Sequence, residues 1–230
     1  MKAADVMVRS VITVTPDATV EEVARTLIEK HISGVPVVDR HGTLCGIVTE
    51  SDLMRRSEAG TEKRRSRWVE SLVSRDQLAS EFVKSHARSV ADVMTRDVVA
   101  AQPDTPLAEI ADMLERNGIK RVPIVQNGKV VGIVSRANLL QALAATKRTE
   151  QAAATGHDDS IRDTVLAYLD KQNWARPWLL NVIVHGGVVE LWGMVDSAAE
   201  KNALRVAAES VPGVRAVNDN VVVRRIVSAV

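Results

Sequence analysis

The chain has 230 residues, 46% of them hydrophobic and 26% charged, and a net charge of +1. That is enough apolar material for globular cores, and it excludes the strongly basic balance of a dedicated nucleic-acid binder. A single cysteine, Cys45, rules out an intramolecular disulfide, and no apolar run approaches the ~18–20 residues that cross a bilayer.

The chain opens on Ala4-Asp5-Val6-Met7 and states it again as Ala91-Asp92-Val93-Met94, 87 residues on. Pro16-Asp17 returns as Pro103-Asp104, and Ile32-Ser33-Gly34-Val35-Pro36-Val37-Val38 returns as Ile119-Lys120-Arg121-Val122-Pro123-Ile124-Val125. Gly46-Ile47-Val48-Thr49-Glu50-Ser51-Asp52-Leu53 closes the first copy and Gly132-Ile133-Val134-Ser135-Arg136-Ala137-Asn138-Leu139 the second. Solenoid repeats run roughly 20–50 residues, so a period this long predicts two homologous small domains.

Within each copy, Val11–Val14 and Val98–Ala101 predict an opening strand. A helix follows Pro16-Asp17-Ala18-Thr19: Thr19 and Glu22 have capping-box spacing, and Val20, Val23, Ala24, Leu27 and Ile28 form an apolar stripe. In the second copy Pro106 takes the first helical position. Two strands come next, Val35–Val38 and Leu44–Val48, turning at Arg40-His41-Gly42; the second copy turns at Asn127-Gly128. A last helix opens near Ser51-Asp52 and near Ala137-Asn138. The unit is strand, helix, strand, strand, helix.

Between the copies Arg55, Arg56, Lys63, Arg64, Arg65 and Arg67 face only Glu58 and Glu62. Trp68 to Val73, with Leu78, Phe82 and Val83, predicts one or two amphipathic helices. The cations read either as a solvated loop or as a patch for an anionic partner. The polar, Ala-rich residues 146–157 predict a helix tail running into a linker with little rigidity of its own.

From residue 158 the pattern changes. Ser160 and Asp163 start a helix carrying Ile161, Val165, Leu166 and Leu169. Strands Leu179–Val184 and Val188–Val195 turn at Gly186-Gly187. Ser197 and Glu200 open a second helix that Pro212-Gly213 stops, and Val214–Val223 closes as a strand.

The opening Asp-Val-Met, the apolar-Pro-apolar strand and the closing Gly-apolar-Val-Thr/Ser-x-x-Asp together resemble a cystathionine β-synthase (CBS) domain. The tandem resembles the two-domain Bateman module. The third piece, through Gly187–Val195, Pro212-Gly213-Val214 and Val217-Asn218-Asp219-Asn220, resembles a BON domain. The fold class this implies is α+β: two CBS βαββα repeats packed as a pseudo-two-fold pair, and a small αββαβ BON domain. The corresponding organisation is CBS repeat 1 over 1–57, an insert over 58–88, CBS repeat 2 over 89–145, a linker over 146–157 and the BON domain over 158–230.

The resemblance implies an adenine nucleotide (AMP, ADP or ATP) or S-adenosylmethionine as regulatory ligand in the cleft of the CBS pair, with no obligatory cofactor. The residues it points to are Thr13, Ile32, Val35, Pro36, Thr49, Asp52, Lys120, Arg121, Val122, Pro123, Ser135 and Asn138. A Thr49 hydroxyl suits phosphate, the Asp52 carboxylate suits both ribose hydroxyls, and the helix start beside them favours phosphate. Ile32, Val35 and Pro36 resemble an adenine slot. Arg121 with Lys120 offers phosphate contacts that Ser33-Gly34 of the first copy does not. Thr49 and Asp52 also read as a plain strand end and helix cap, and Lys120-Arg121 alone reads equally as a solvated charge pair. Asn138 stands where the first copy has Asp52, so one good site and one weak or empty site are expected.

Catalysis finds no support. His31, His41, His86, His157 and His185 lack metal-ligand spacing, and no phosphate-binding glycine loop or nucleophile elbow is present. The expectation is a non-enzymatic, cytoplasmic regulatory homodimer, since Met1 to Asp5 reaches an acid before any apolar stretch, unlike a signal peptide. The BON domain is expected to engage an unknown protein partner. The alternative is a constitutive adaptor whose BON domain docks a membrane or protein, with Trp174, Trp178 and Trp192 as its interfacial aromatics.

Overall fold

The computed structural model describes residues 1–61, 73–149 and 157–224, and within them the chain forms two compact units. One unit comprises residues 12–98 with 128–130; the other comprises 1–11, 99–127 and 131–230. The fold is α+β. The cations Lys63, Arg64, Arg65 and Arg67 and the apolar stretch from Trp68 lie outside the described residues, as does the linker from 150 to 156.

The unit around the first repeat is built on a hairpin. Strand β1 (Gly34–Val38) pairs antiparallel with β2 (Leu44–Thr49), matching Val35 to Val48 and Pro36 to Ile47. Before it runs helix α2 (Val20–Lys30), which follows the one-turn helix α1 (Ala3–Val6) in chain order. Thr19 caps α2: its hydroxyl accepts from the Glu22 N–H at 3.1 Å, and the Glu22 carboxylate accepts from the Thr19 N–H at 2.7 Å. Val23 and Leu27 of α2 close over Val35, Val37 and Val48, so the helical stripe and the alternate face of the hairpin make one core. Helix α3 (Glu50–Leu53) is a single turn, and α4 (Arg75–His86) lies within the insert. The segment Val11–Val14 is no strand; it touches the sheet through one parallel bridge, Val14 to Val37, with the Val14 N–H donating to the Pro36 carbonyl. Pro36 has no N–H to return, which limits the ladder there.

The last piece of this unit comes from the second repeat. Helix α5 (Val90–Val93) lays its first N–H groups on the carbonyls of Ala18 and Pro16, and Thr95 exchanges two hydrogen bonds with Ile47. The other unit repeats the exchange in mirror order of sequence. Ala3 and Ala4 donate to Thr105 and Pro103, and Val8 exchanges two hydrogen bonds with Ile133. Each leading segment therefore completes the half that carries the other repeat.

The motif residues that recur are explained by this exchange. A Cβ added at Gly46 would meet Met94 Sδ at 2.4 Å, and one added at Gly132 would meet Met7 Sδ at 2.3 Å. The closing glycine of each repeat is the floor under the opening methionine of the other.

In the second unit α6 (Leu107–Arg116) packs on the hairpin of β3 (Arg121–Gln126) and β4 (Lys129–Ser135). Pro106 is the cap of α6 and not its first residue, with extended ψ of 144°. The hairpin turns at Asn127 (φ 52°) and Gly128 (φ 80°), two left-handed residues in the pattern of a type I′ turn. Ile110, Leu114, Val122, Ile124 and Val134 form the core with Ala3 and Val6. The segment Val98–Ala101 matches its first-copy counterpart, contributing one bridge from Ala101 to Ile124. Helix α7 spans Arg136–Thr149.

The C-terminal αββαβ piece consists of α8 (Asp158–Asp170), β5 (Leu180–His185), β6 (Val188–Val195), α9 (Ala198–Glu209) and β7 (Ala216–Val223). Its sheet order is β5-β6-β7, antiparallel then parallel. Helix α8 begins two residues before Ser160, and its Asp158 carboxylate accepts from the Gly186 and Gly187 N–H groups at 2.8 and 2.9 Å. One sheet face, with Val182, Val189 and Leu191, meets both helices. The other face carries Asn181, Ile183, Glu190 and Trp192; Ile183 and Trp192 join the core of the second repeat. The αββαβ piece lies in the same compact unit as the second repeat.

Candidate functional site

Each repeat ends its second strand in a polar pair that caps the next helix. In the first, the Thr49 N–H and hydroxyl both donate to Asp52 Oδ2, at 2.9 and 2.8 Å. Asp52 Oδ1 lies 3.7 Å from Lys84 Nζ, and the Asp52 side chain keeps 14% exposure. Glu50 donates its N–H to the Ser33 carbonyl, which brings the start of β1 beside the same helix turn. Thr49, Asp52, Ser33 and Gly34 are thus neighbours. Lys84, on the last turn of α4, supplies a cation that no motif in the sequence marks.

The remaining first-repeat candidates occupy different environments. Thr13 is exposed on the extended lead-in to β1's neighbour Val14, Ile32 is half-buried against the core, and Pro36 is buried. Val35 is fully buried with its side chain in the core, so it shapes the strand and not an open slot.

In the second repeat the cap geometry is conserved in form with an amide replacing the carboxylate. Ser135 N–H and hydroxyl donate to Asn138 Oδ1, both at 2.7 Å. Asn138 is 5% exposed, and its Nδ2 donates to Gln141 Oε1 at 3.2 Å. Gln141 Oε1 also accepts from Asn181 Nδ2 of β5 at 2.8 Å. The Arg136 N–H donates to the Lys120 carbonyl, so the Lys120-Arg121 pair starts β3 next to Ser135. Lys120 is exposed and Arg121 half-buried, while Val122 and Pro123 are buried, Val122 within the core.

A second polar centre, which sequence reasoning missed, ties the αββαβ piece to the opening of the chain. Arg162 of α8 is 2% exposed, and its guanidinium donates to the carbonyls of Val182, Ala4 and Met7, the last at 2.7 Å. Burial pushes its pKa down to about 10, which leaves it charged at neutral pH. Around it Arg9 pairs with Asp163, and the Ser10 hydroxyl donates to Asp170 at 2.9 Å. Nothing in a lone Arg on an amphipathic helix distinguishes it from a solvated cation.

The insert cations are divided in the same way. Arg56 is buried; it pairs with Glu58 and donates to the carbonyls of Lys84 and Ala87 at 2.8 and 2.7 Å. It staples the two ends of the insert together and is no part of an anionic-partner patch. Its bonds hold the exposed Glu58 carboxyl down at about 2.

Among the described residues no group of His, Cys, Asp and Glu gathers in a way that could hold a metal ion. Among them, too, no helix is long and apolar enough to cross a membrane. Trp192 packs toward the second-repeat core and Trp178 is half-buried, which leaves Trp174 as the outermost of the three.

A family model of the CBS domain matches residues 3–59 and 90–145, and one of the BON domain matches residues 157–225. An uncharacterized protein of Methanocaldococcus jannaschii is 29% identical over 150 residues, covering 60% of this chain and 89% of that protein. The chloroplastic CBS domain-containing protein CBSX2 of Arabidopsis thaliana is 29% identical over 141 residues, 59% of each chain. Inosine-5'-monophosphate dehydrogenase of M. jannaschii is 30% identical over 141 residues, 61% of this chain and 23% of that enzyme. The chain therefore spans less than two thirds of the length of the latter two proteins. The crystal structure of CBSX2 in complex with AMP is similar with a TM-score of 0.56 at 28% identity, over 64% of this chain and 99% of that one.

Proposed function

The chain is a tandem CBS-domain protein with a C-terminal BON domain, and on that premise we propose that it is a regulatory protein whose CBS pair binds an adenine nucleotide or related adenosyl compound. The observation that carries this reading is the Thr49–Asp52 pair beside Ser33 and Lys84, in a chain similar to a CBS pair in complex with AMP. Asp52 accepts from ribose hydroxyls through the oxygen that faces Lys84; the Thr49 hydroxyl and Lys84 meet phosphate. Charge-assisted hydrogen bonds of this kind are the strong ones. Lys120 and Arg121 provide further phosphate contacts at the second repeat.

The test is isothermal titration of the full chain with AMP, ADP, ATP and S-adenosylmethionine. Saturable heat with at least one of them, lost or weakened in Asp52→Ala, is the expected result. No heat with any of the four removes the proposal. The protein acts as a homodimer on this reading, since two-fold closure is the commonest symmetry of oligomers; light scattering at tens of micromolar checks it. The BON domain serves as the interaction module. Because one face of its sheet packs on the second repeat, a protein partner meets the helices and edges, and the membrane-docking adaptor loses that face.

A further inference from the structure

Resting on the reading that Asp52 meets the ribose of an adenosyl ligand, we infer that Lys84 sets the charge of the ligand the first repeat accepts: a phosphate on the ribose is taken over a sulfonium. Lys84 comes from the insert, and the repeat motif does not supply it. Its Nζ lies 3.7 Å from Asp52 Oδ1, with the Lys84 side chain 47% exposed and the Asp52 side chain 14% exposed. That separation is an ion pair and not a hydrogen bond. A ribose hydroxyl can therefore share Oδ1, and the ammonium retains donors for a phosphate.

The placement of Lys84 is built in. Arg56, just beyond α3, is 6% exposed and donates to the Lys84 and Ala87 carbonyls at 2.8 and 2.7 Å. Those carbonyls end α4, where acceptors lack partners within the helix. The Ser57 N–H and hydroxyl both donate to the Ser85 carbonyl at 3.1 Å. The segment that follows Asp52 is thus tied to the last turn of α4, and all the acceptors are main-chain oxygens. Removing the Lys84 side chain leaves each of these bonds in place.

Charge then decides the ligand class. Arg56 spends its charge on Glu58, its Nη2 2.7 Å from the carboxylate, and Arg55 Nη1 donates to the Thr61 carbonyl at 3.4 Å. The exposed Glu50 of the same helix turn adds negative charge. Asp52 and Glu50 by themselves repel a phosphate and attract a sulfonium. Lys84 offsets the Asp52 carboxylate and sets a cation where a phosphate can reach it, so the balance turns on one side chain.

The experiment is calorimetry of the full chain with AMP, adenosine and S-adenosylmethionine, read on the event that Asp52→Ala removes. The three share an adenosine moiety and carry an anionic, a neutral and a cationic group on its ribose. Wild type should bind AMP more tightly than either of the others. Lys84→Gln should weaken AMP by about tenfold, the weight of one charged hydrogen bond, and leave adenosine within about twofold. The same variant should tighten S-adenosylmethionine, and Lys84→Glu should carry the ratio of the two affinities further in that direction. A ratio unchanged in both variants, or AMP and adenosine weakened alike, overturns the role of Lys84 alone. If neither variant folds, wild type still decides, because S-adenosylmethionine bound as tightly as AMP contradicts the inference. Absence of binding by all three overturns the ligand reading together with it.

Discussion

Arg162 Nη2 donates to the main-chain carbonyl of Met7 at 2.7 Å, joining the first helix of the BON domain to the opening motif of the first CBS repeat. The same Met7 covers Gly132 of the second repeat. One guanidinium thus locks three sequence-distant pieces at a single point, and it does so with main-chain acceptors, whose positions do not depend on side-chain identity.

Arg162→Met should therefore cost on the order of 3 kcal/mol, because three main-chain carbonyls, two of them in buried bonds, lose a charged donor at once. Urea unfolding of the full chain measures it. Arg162→Lys should recover only part, since one ammonium cannot reproduce the guanidinium fork. A wild-type midpoint in Arg162→Met would show the carbonyls to be satisfied some other way.

The glycine floors predict a coupling. Gly132→Ala should destabilise by about 1–3 kcal/mol through overpacking against Met7. In a Met7→Ala background the same change should cost less, because the clashing Sδ and Cγ are gone. A double-mutant cycle that closes additively would contradict the contact.

For ligand binding, Asp52→Ala and Asp52→Asn should differ in an informative way. Asn138 shows that an amide oxygen preserves the cap at 2.7 Å, so Asp52→Asn keeps the fold while losing the charged acceptor. A charged hydrogen bond contributes ~1.5–3 kcal/mol, hence roughly ten- to hundredfold weaker AMP binding for both variants. If only Asp52→Ala weakens binding, the carboxylate is a cap and not a ribose acceptor.

The Arg56–Glu58 pair sets an acid limb. Glu58 is held at about 2, against 4.5 when unperturbed, so its folded-state pKa is the lower one. Its contribution is complete above pH 4.5 and disappears as pH falls through about 2. Urea midpoints of wild type and Glu58→Gln should therefore differ at pH 6 and converge toward pH 2. A constant gap across that range would place the effect elsewhere.

Much of the fold was legible because it is written in short-range chemistry. Thr19 and Glu22, or Asn127 and Gly128, act across three residues or fewer, and the residue types alone dictate a cap or a left-handed turn. The same locality made Thr49 and Asp52 ambiguous. A Thr-x-x-Asp spacing serves a cap and a ligand equally, and the structure uses it as a cap in both repeats. The opening segments read as strands from their β-branched content, yet each makes a single bridge, because Pro36 and Pro123 offer a carbonyl but no N–H.

By itself the sequence determined that the chain is a duplicated unit followed by a different one, where its caps and turns fall, and that its closing motifs are polar helix starts. Only the tertiary structure decided that the leading segments trade halves, that Arg56 and Arg162 are buried staples while Lys120 is exposed, and that the BON sheet spends a face on the second repeat. The reason is range. A charge or an apolar face declares its type in sequence, but what it meets 155 residues away is set by which surfaces pack, and packing is a property of the whole chain.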